Sequence, residues 1–432
     1  MALLAATVGA HAFPDAQIDS QLRPHFGELL NPPIRRYHPY RPVYRLNRWE
    51  SGYGGQYAPL GPDYDHYQGP WTDRRWRSDH GYPVQGPIQT ITVDCGDASA
   101  GPTPLSDALF ALADGGTLYI RSGGRACSEP LVITRPVTIV GEAASAFDSN
   151  SPGPPVIAPP PGQPCIQVMP GAGRVELRDL ILRADHAGPA ACIQSWDTEL
   201  ALVHADVRYA GDASAVYVSG GRLVGRHSQV GSGGYDPAVT TEGASLDLDN
   251  FDITTAVNGL DITPGTGPIA LDHVGVSNAP GVDPSLTPET GITIRYAPHG
   301  GEPLALRNSH VSGFRTGLWL DQGARIQVAG LSVSHAVIAV VSRAVDLNLT
   351  GSTLTVASTG VYVVMGHARI VKNTIHDFDG PPILVERGAD VFVDDNGIWP
   401  MHRCREYRDY KVCHEHEEKH EHPHEHGPDE HH

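Results

Sequence analysis

Lysine is nearly missing from this chain. Three occur in 432 residues (Lys372, Lys411 and Lys419), so positive charge is carried almost wholly by arginine. The 49 Asp and Glu outnumber the 31 Lys and Arg, and the formal net charge is −18. That balance excludes binding to nucleic acid by charge alone. No apolar run in the body of the chain is long enough to span a bilayer, so no transmembrane segment is expected. Helical periodicity is also scarce, with one short exception. An ordinary α/β or helical-repeat fold is thereby excluded.

What is present is a repeat. Two apolar residues separated by four mostly polar ones recur from Leu177 and Leu182 onward. The later copies begin at Leu202, Leu248, Leu271, Leu306, Val328, Leu349, Ile370 and Val393, and a weaker copy runs from Gly225 to Val230. The spacing is about 21 to 25 residues with one longer step, a period that marks a solenoid whose units bury their apolar faces against each other. Before most copies lies a phrase of period two, such as Gly259-Leu260-Asp261-Ile262, Gly291-Ile292-Thr293-Ile294, Gly317-Leu318-Trp319-Leu320 and Gly360-Val361-Tyr362-Val363. Period two argues strand. Two or three short strands in about 22 residues leave no room for a helix in each unit, and a parallel β-helix fits.

The segments outside the repeat differ from it. Residues 1–12 form a short apolar run ending in an Ala-x-Ala pattern, which predicts the remnant of a signal peptide. Residues 13–89 are rich in Pro, Tyr and Arg without a sustained period, and predict a disordered arm. Thr103 to Leu112 predicts one helix, with Thr103 as N-cap, Pro104 in the first turn, a stripe of Leu105, Leu109 and Leu112, and Gly115 after its end. Such a helix would cover the open end of the solenoid. The repeat spans about residues 90–400. Six cysteines suit an oxidising compartment, and their spacing suggests Cys95 with Cys127, Cys165 with Cys192, and Cys404 with Cys413 around a loop at 401–413. A secreted, periplasmic or cell-envelope protein follows as an expectation.

The cap helix, the strand Thr117-Leu118-Tyr119-Ile120, the segment Cys127-Ser128-Glu129-Pro130-Leu131-Val132-Ile133 and then Val137-Thr138-Ile139-Val140-Gly141-Glu142 resemble the opening of the pectate lyase-like, or pectin lyase, superfamily. With the later turns, the resemblance covers about residues 90–400. It implies an all-β, single-stranded right-handed parallel β-helix with a short N-terminal capping helix. It does not imply one activity, because that superfamily holds lyases, hydrolases, esterases, epimerases and non-enzymatic adhesive proteins. The chain lacks the Gly-His-Gly and paired-Asp arrangement of polygalacturonases, the Gly-x-x-Asp-Phe site of pectinesterases and the calcium-binding Asp cluster of pectate lyases.

Aligning the period-two phrases gives two outward columns. One runs Gln194, Tyr217, Thr240, Asp261, Thr293, Trp319, Ala339, Tyr362, Leu384. The other runs Trp196, Ser219, Glu242, Thr263, Arg295, Asp321, Val341, Val364, Glu386. This alignment predicts an exposed face on which Asp261, Asp321 and Arg295 are candidate catalytic residues and Trp319, Tyr217, Tyr362 and Glu242 contact substrate. Aromatic rings can stack on sugars, Arg can fork to a uronate carboxylate, and two carboxylates can serve as acid and base. The long step at 277–289 lies beside this face, where solenoid insertions often bind. The expected partner is a polysaccharide or cell-surface glycan. Recognition is the primary reading; an enzyme processing an acidic glycan and a structural or adhesive surface protein are the alternatives, and enzymatic activity and oligomeric state stay open. Residues 414–432 alternate His with Glu, and His414, His416, His420, His422, His424 and His426 suit Zn, Ni or Cu(II) in a disordered tail.

Overall fold

The structure, a computed structural model, describes residues 88–97, 103–121, 125–142, 153–185, 188, 190–279, 289–296, 303–400, 405–407 and 410–412. The predicted signal remnant, most of the arm, Cys404, Cys413 and the His-rich tail lie outside the described residues. So does most of the 277–289 insertion. Arg405–Tyr407 and Tyr410–Val412, inside the predicted loop, pair as an antiparallel hairpin.

The chain is a parallel β-solenoid of about 12 turns. Each full turn adds one strand segment to each of three parallel ladders. The first ladder runs through Ile166–Val168, Ile193–Trp196 and Val216–Ser219, and continues in register through Val239, Leu260, Ile292, Leu318, Val340, Val361 and Ile383. The second runs through Val137–Gly141, Arg174–Arg178 and Glu199–Val203 to Asp390–Asp394. The third runs through Ile181–Ala184 and Asp206–Tyr209 to Gly397–Pro400. Side chains alternate in and out along each strand. The inward Val, Leu and Ile form one continuous core from Val93 to Phe378.

The recurring apolar pair is now explained. Leu177 is an inward residue near the end of a second-ladder strand, and Leu182 is inward in the following third-ladder strand; the four residues between them make the corner. One residue in each corner from Asp179 onward has positive φ among the described residues. In chain order these are Asp179, His204, His227, Asn250, His273, Asn308, Gly330, Gly351, Lys372 and Asp395. The left-handed region favours Gly, Asn, Asp and His, which supply most of this column. The weak copy at Gly225 is a compensated one. A Cβ on Gly225 would stand 2.4 Å from the Phe251 ring of the next turn. Phe251, fully buried, fills the space that the missing side chain leaves.

Buried backbone groups follow the corner residue. The Ala205 N–H donates to Ser228 Oγ, Val274 to Ser309, and Leu331 to Ser352. Ser352 in turn donates to Asn373 Oδ1, and Asn373 to Asn396 Oδ1. Each bond reaches the next turn, and such pairing removes the cost of an unsatisfied buried N–H.

The helix spans Pro104–Ala111 and buries Leu105 and Ala108. Leu112 is buried as expected, but as the first residue of the strand Leu112–Arg121, and Gly115 lies within that strand. Thr103 makes no side-chain capping bond. Glu129, buried 24 residues along the chain, does this work: its carboxylate accepts the N–H groups of Leu105 (2.6 Å) and Ser106 (3.2 Å) and the Ser106 hydroxyl. At the other end, Arg135 donates to the carbonyls of Leu109 and Phe110. A carboxylate at the N-terminus and a guanidinium at the C-terminus both suit the helix dipole. Before the helix, the strand Ile88–Asp94 stacks in parallel on Leu112–Arg121, ahead of the strand read at Thr117–Ile120 and at the expected start of the solenoid near residue 90.

Disulfides join Cys95 to Cys127 and Cys165 to Cys192, as the spacing predicts. The second pair bridges adjacent turns, where the Cys165 N–H donates to the Cys192 carbonyl. No helix among the described residues is long and apolar enough to cross a membrane.

Candidate functional site

The outward face of the first ladder carries both predicted columns. Tyr217 pairs with Thr240, Thr240 with Asp261, Asp261 with Thr293, and Thr293 with Trp319. Neighbours stand one strand spacing apart, about 4.8 Å. In the one turn after Trp319 the expected register is two residues out, and from Tyr362 it is as expected. Trp319 pairs with Val341, and Val341 with Tyr362. The second column therefore runs Arg295, Asp321, Arg343, Val364, Glu386. Backbone N–H groups of Asp321, Arg343, Val364 and Glu386 donate to the carbonyls of Ile294, Leu320, Ser342 and Val363 at the same place in successive turns. Ala339 and Val341 leave their assigned places, and Arg343 enters.

A diagonal rule organises the side chains. A first-column residue reaches the second-column residue of the next turn. The Tyr217 hydroxyl donates to Glu242 at 2.8 Å, and the Tyr362 hydroxyl donates to Glu386 at 2.6 Å. Arg295 forks onto Asp261, with Nε 2.7 and 3.0 Å from the two carboxylate oxygens and Nη2 2.5 Å from one of them. Bidentate geometry of this kind is the strong form of an ion pair. Burial raises the phenol of Tyr217 to about 12, and the Glu242 carboxylate adds to the shift. Tyr362 is raised further by the same two causes, with Glu386 as the partner. Both phenols stay protonated at neutral pH.

The face is more enclosed than the columns alone suggest. Asp261 is 7% exposed and Tyr362 2%, so neither lies open to solvent as the sequence reading expects. Arg295 is exposed, and Trp319, Tyr217, Glu242 and Asp321 are intermediate. The Arg295 guanidinium lies against the Asp261 carboxylate.

Arg343 differs from the other charged groups on this face. Its Nε is buried and has no hydrogen-bond partner. Its Nη1 stands 3.9 Å from Asp321, close enough for attraction and too far for a hydrogen bond. Asp321 and Arg343 are each partly accessible, with side-chain exposures of 35% and 27%. Arg343, Asp321 and the Trp319 ring thus occupy adjacent positions on two turns, with a cation whose donors are not fully used. Asp261 and Asp321 are two turns apart, on the order of 10 Å along the ladder. The structure brings Asp261 to Arg295 and places Asp321 with Arg343. The six tail histidines proposed as metal ligands lie outside the described residues.

A depression of about 290 Å³ elsewhere on the surface is lined by Asp185, Arg208, Tyr209, Ser232 and Thr254. Arg208 is already bonded to Asp206 there.

No protein-family model matches this chain, and no curated protein matches it. The solved structures similar to it include two epimerases. The first is the A-module of the mannuronan C-5 epimerase AlgE6 from Azotobacter vinelandii, at 15% identity over 68% of this chain and 93% of that one, with a TM-score of 0.34. The second is a point mutant of the periplasmic alginate epimerase AlgG, at 9% identity over 72% of this chain and 73% of that one, with a TM-score of 0.33. Likeness at this level transfers no residue.

Proposed function

We propose that this protein recognises an acidic polysaccharide along the outward face of the first ladder. The observation that carries the reading is Arg343, whose guanidinium is part-buried, lacks a hydrogen-bond partner at Nε and lies one turn from Trp319. A part-buried guanidinium with unused donors gains from a carboxylate that forks onto it. Trp319 supplies the flat apolar surface on which a pyranose ring stacks. A linear chain laid along the ladder meets equivalent positions at each turn, so a repeating glycan suits a repeating face. Tyr217 and Glu242 flank this centre as further contact residues, the buried Tyr362 holds Glu386 beside it instead of meeting the glycan, and the Asp261–Arg295 fork sets its floor.

Recognition is favoured over hydrolysis because Asp261 already accepts three hydrogen bonds from Arg295. Its separation from Asp321 is also at or beyond the range of about 5 to 10 Å that paired glycosidase carboxylates use. Processing of the glycan is the second reading, carried by Asp321, whose carboxylate is partly accessible and stands 3.9 Å from Arg343. There Asp321 is the acid or base, and Asp261 and Arg295 are the residues that position the substrate. The two disulfides support a secreted, periplasmic or envelope location. The His-rich tail is proposed to hold Zn, Ni or Cu(II) independently of the barrel.

Calorimetry of the full chain with a polyuronate and with a neutral glucan is the test. Saturable binding of the polyuronate alone is expected. Equal binding of both polymers, or of neither, removes the acidic-glycan reading. Release of shortened or unsaturated products in the same mixture selects the enzyme over the binder.

A further inference from the structure

The corner column carries a second cluster that the glycan face does not use. Asp249 and Asp272 are register partners on successive turns, each just before its corner residue. Like charges directly opposite on a sheet repel. His273, the corner residue of the second turn, faces both. Its Nδ1 is 3.1 Å from Asp272 Oδ1 and 3.7 Å from Asp249 Oδ1. One ligating atom from each of the three residues lies within 4.8 Å of the others, and no other such His, Cys, Asp and Glu group occurs among the described residues.

We infer that Asp249, Asp272 and His273 form a binding site for a divalent transition-metal ion on the outer edge of the solenoid. Two carboxylates and one imidazole offer three ligands on one side of an ion, with the remaining positions open to water. Mixed oxygen and imidazole donors fit Mn²⁺ or Zn²⁺ better than an all-oxygen site for Ca²⁺.

The surroundings hold the donors in place. The Asn308 amide donates to Asp272 Oδ1 at 2.9 Å, and the Asn250 amide donates to Asp249 Oδ1 at 3.1 Å. Bonds from outside the ligand set orient carboxylates in this way at metal sites. The corner holds the His273 backbone at φ 51°, which sets where its side chain leaves the chain beside the two carboxylates. Two arginines flank the carboxylates in the same column. Arg226 is committed to Asp247 at 2.7 Å and to the carbonyls of Gly225 and Asp247. Arg307 is exposed at the surface and registers against Asp272. Neither occupies the place between the two carboxylates and the imidazole.

The His-rich tail would bind the same ions, so total stoichiometry cannot discriminate. Thermal stability can. The corner site exists only when two turns are stacked, whereas tail ligands are equally available in the unfolded chain, and only a ligand selective for the native state raises Tm. Melting of the full chain with and without excess Mn²⁺ or Zn²⁺ is the experiment. An increase of about 2 to 4 °C is expected, as for a modest native-state ligand on a protein of this size. Asp249→Asn and Asp272→Asn, which keep shape and relieve the repulsion, should fold normally and lose the increase. An increase that persists in both variants places the stabilising ion elsewhere and overturns the site. No increase in the unaltered protein, or one produced equally by Ca²⁺, overturns it as well.

Discussion

The corner between the second and third ladders and the outward face of the first ladder are cut from the same turns, yet they dispose of polar groups in opposite ways. At the corner, each buried N–H noted above finds a side-chain oxygen one turn on, in a relay that ends Ser352, Asn373, Asn396. On the face, diagonal pairs satisfy Tyr217, Asp261 and Tyr362, and the pattern then leaves Arg343 with a buried Nε that nothing accepts. A saturated network serves the fold. An incomplete one, on a surface that also bears Trp319, has capacity left for a ligand. The contrast predicts that changes to the buried corner relay act on stability and changes on the face act on glycan binding.

The largest effect should come from Asn373→Ala. This side chain is 1% exposed, donates to the carbonyls of Leu349 and Val371 and to Asn396, and accepts from the Ser352 N–H. Its removal strands several buried groups and should cost about 3 to 5 kcal/mol. Denaturant unfolding measures it, and glycan affinity should be unchanged at temperatures where the variant is folded. If affinity falls with stability, the two regions are not independent.

Glu129→Ala comes next, at about 2 to 3 kcal/mol, because two helix N–H groups and a hydroxyl lose a buried carboxylate. Hydrogen exchange should show Leu105 and Ser106 opening first. Uniform loss of protection along the solenoid would mean that the helix is no local cap.

Trp319→Ala tests the face. The ring is only partly buried, so its loss should cost about 1 kcal/mol or less in stability. Affinity for a polyuronate should drop by about tenfold or more, as expected when an aromatic anchor is removed. A large fall in stability with intact affinity reverses the assignment.

The smallest effect is set by pH. Tyr217 keeps its proton to about pH 12 in the folded chain, against an ordinary value of 10.0. Its raised value contributes stability that is fully present below about pH 10 and is lost as pH rises through about 12. Absorbance of tyrosinate during alkaline titration should show a late phase that Tyr217→Phe diminishes. A titration of that phase at pH 10 would show that the bond to Glu242 is absent in solution.

Much of the architecture is legible in the sequence because a solenoid writes its geometry repeatedly. The apolar pair five residues apart is the corner, and the period-two phrase is the first ladder. Both disulfides among the described residues follow from where the cysteines fall, Cys165 and Cys192 about one turn apart and Cys95 and Cys127 on either side of the first helix and strand. Arg343 is not legible for a local reason. Ala336-Val337-Ile338-Ala339-Val340-Val341 has no alternation, and the register slips between Val333, Ala336 and Ile338. A pattern of period two cannot reveal which residues of an unbroken apolar run face out. Glu129 as the helix cap is equally hidden, because its partners lie 24 and 23 residues away and no short motif joins them. The enclosure of Asp261 depends on neighbours in adjacent turns, which no single phrase contains.

Arg343→Ala tests the central claim most directly. Binding of a polyuronate and of a neutral oligosaccharide would be compared by calorimetry, with melting temperature recorded for the same samples. Loss of one charge-assisted fork should weaken polyuronate binding by about 10- to 100-fold, while Tm moves by only a few degrees. Full affinity for the polyuronate in Arg343→Ala would contradict the account.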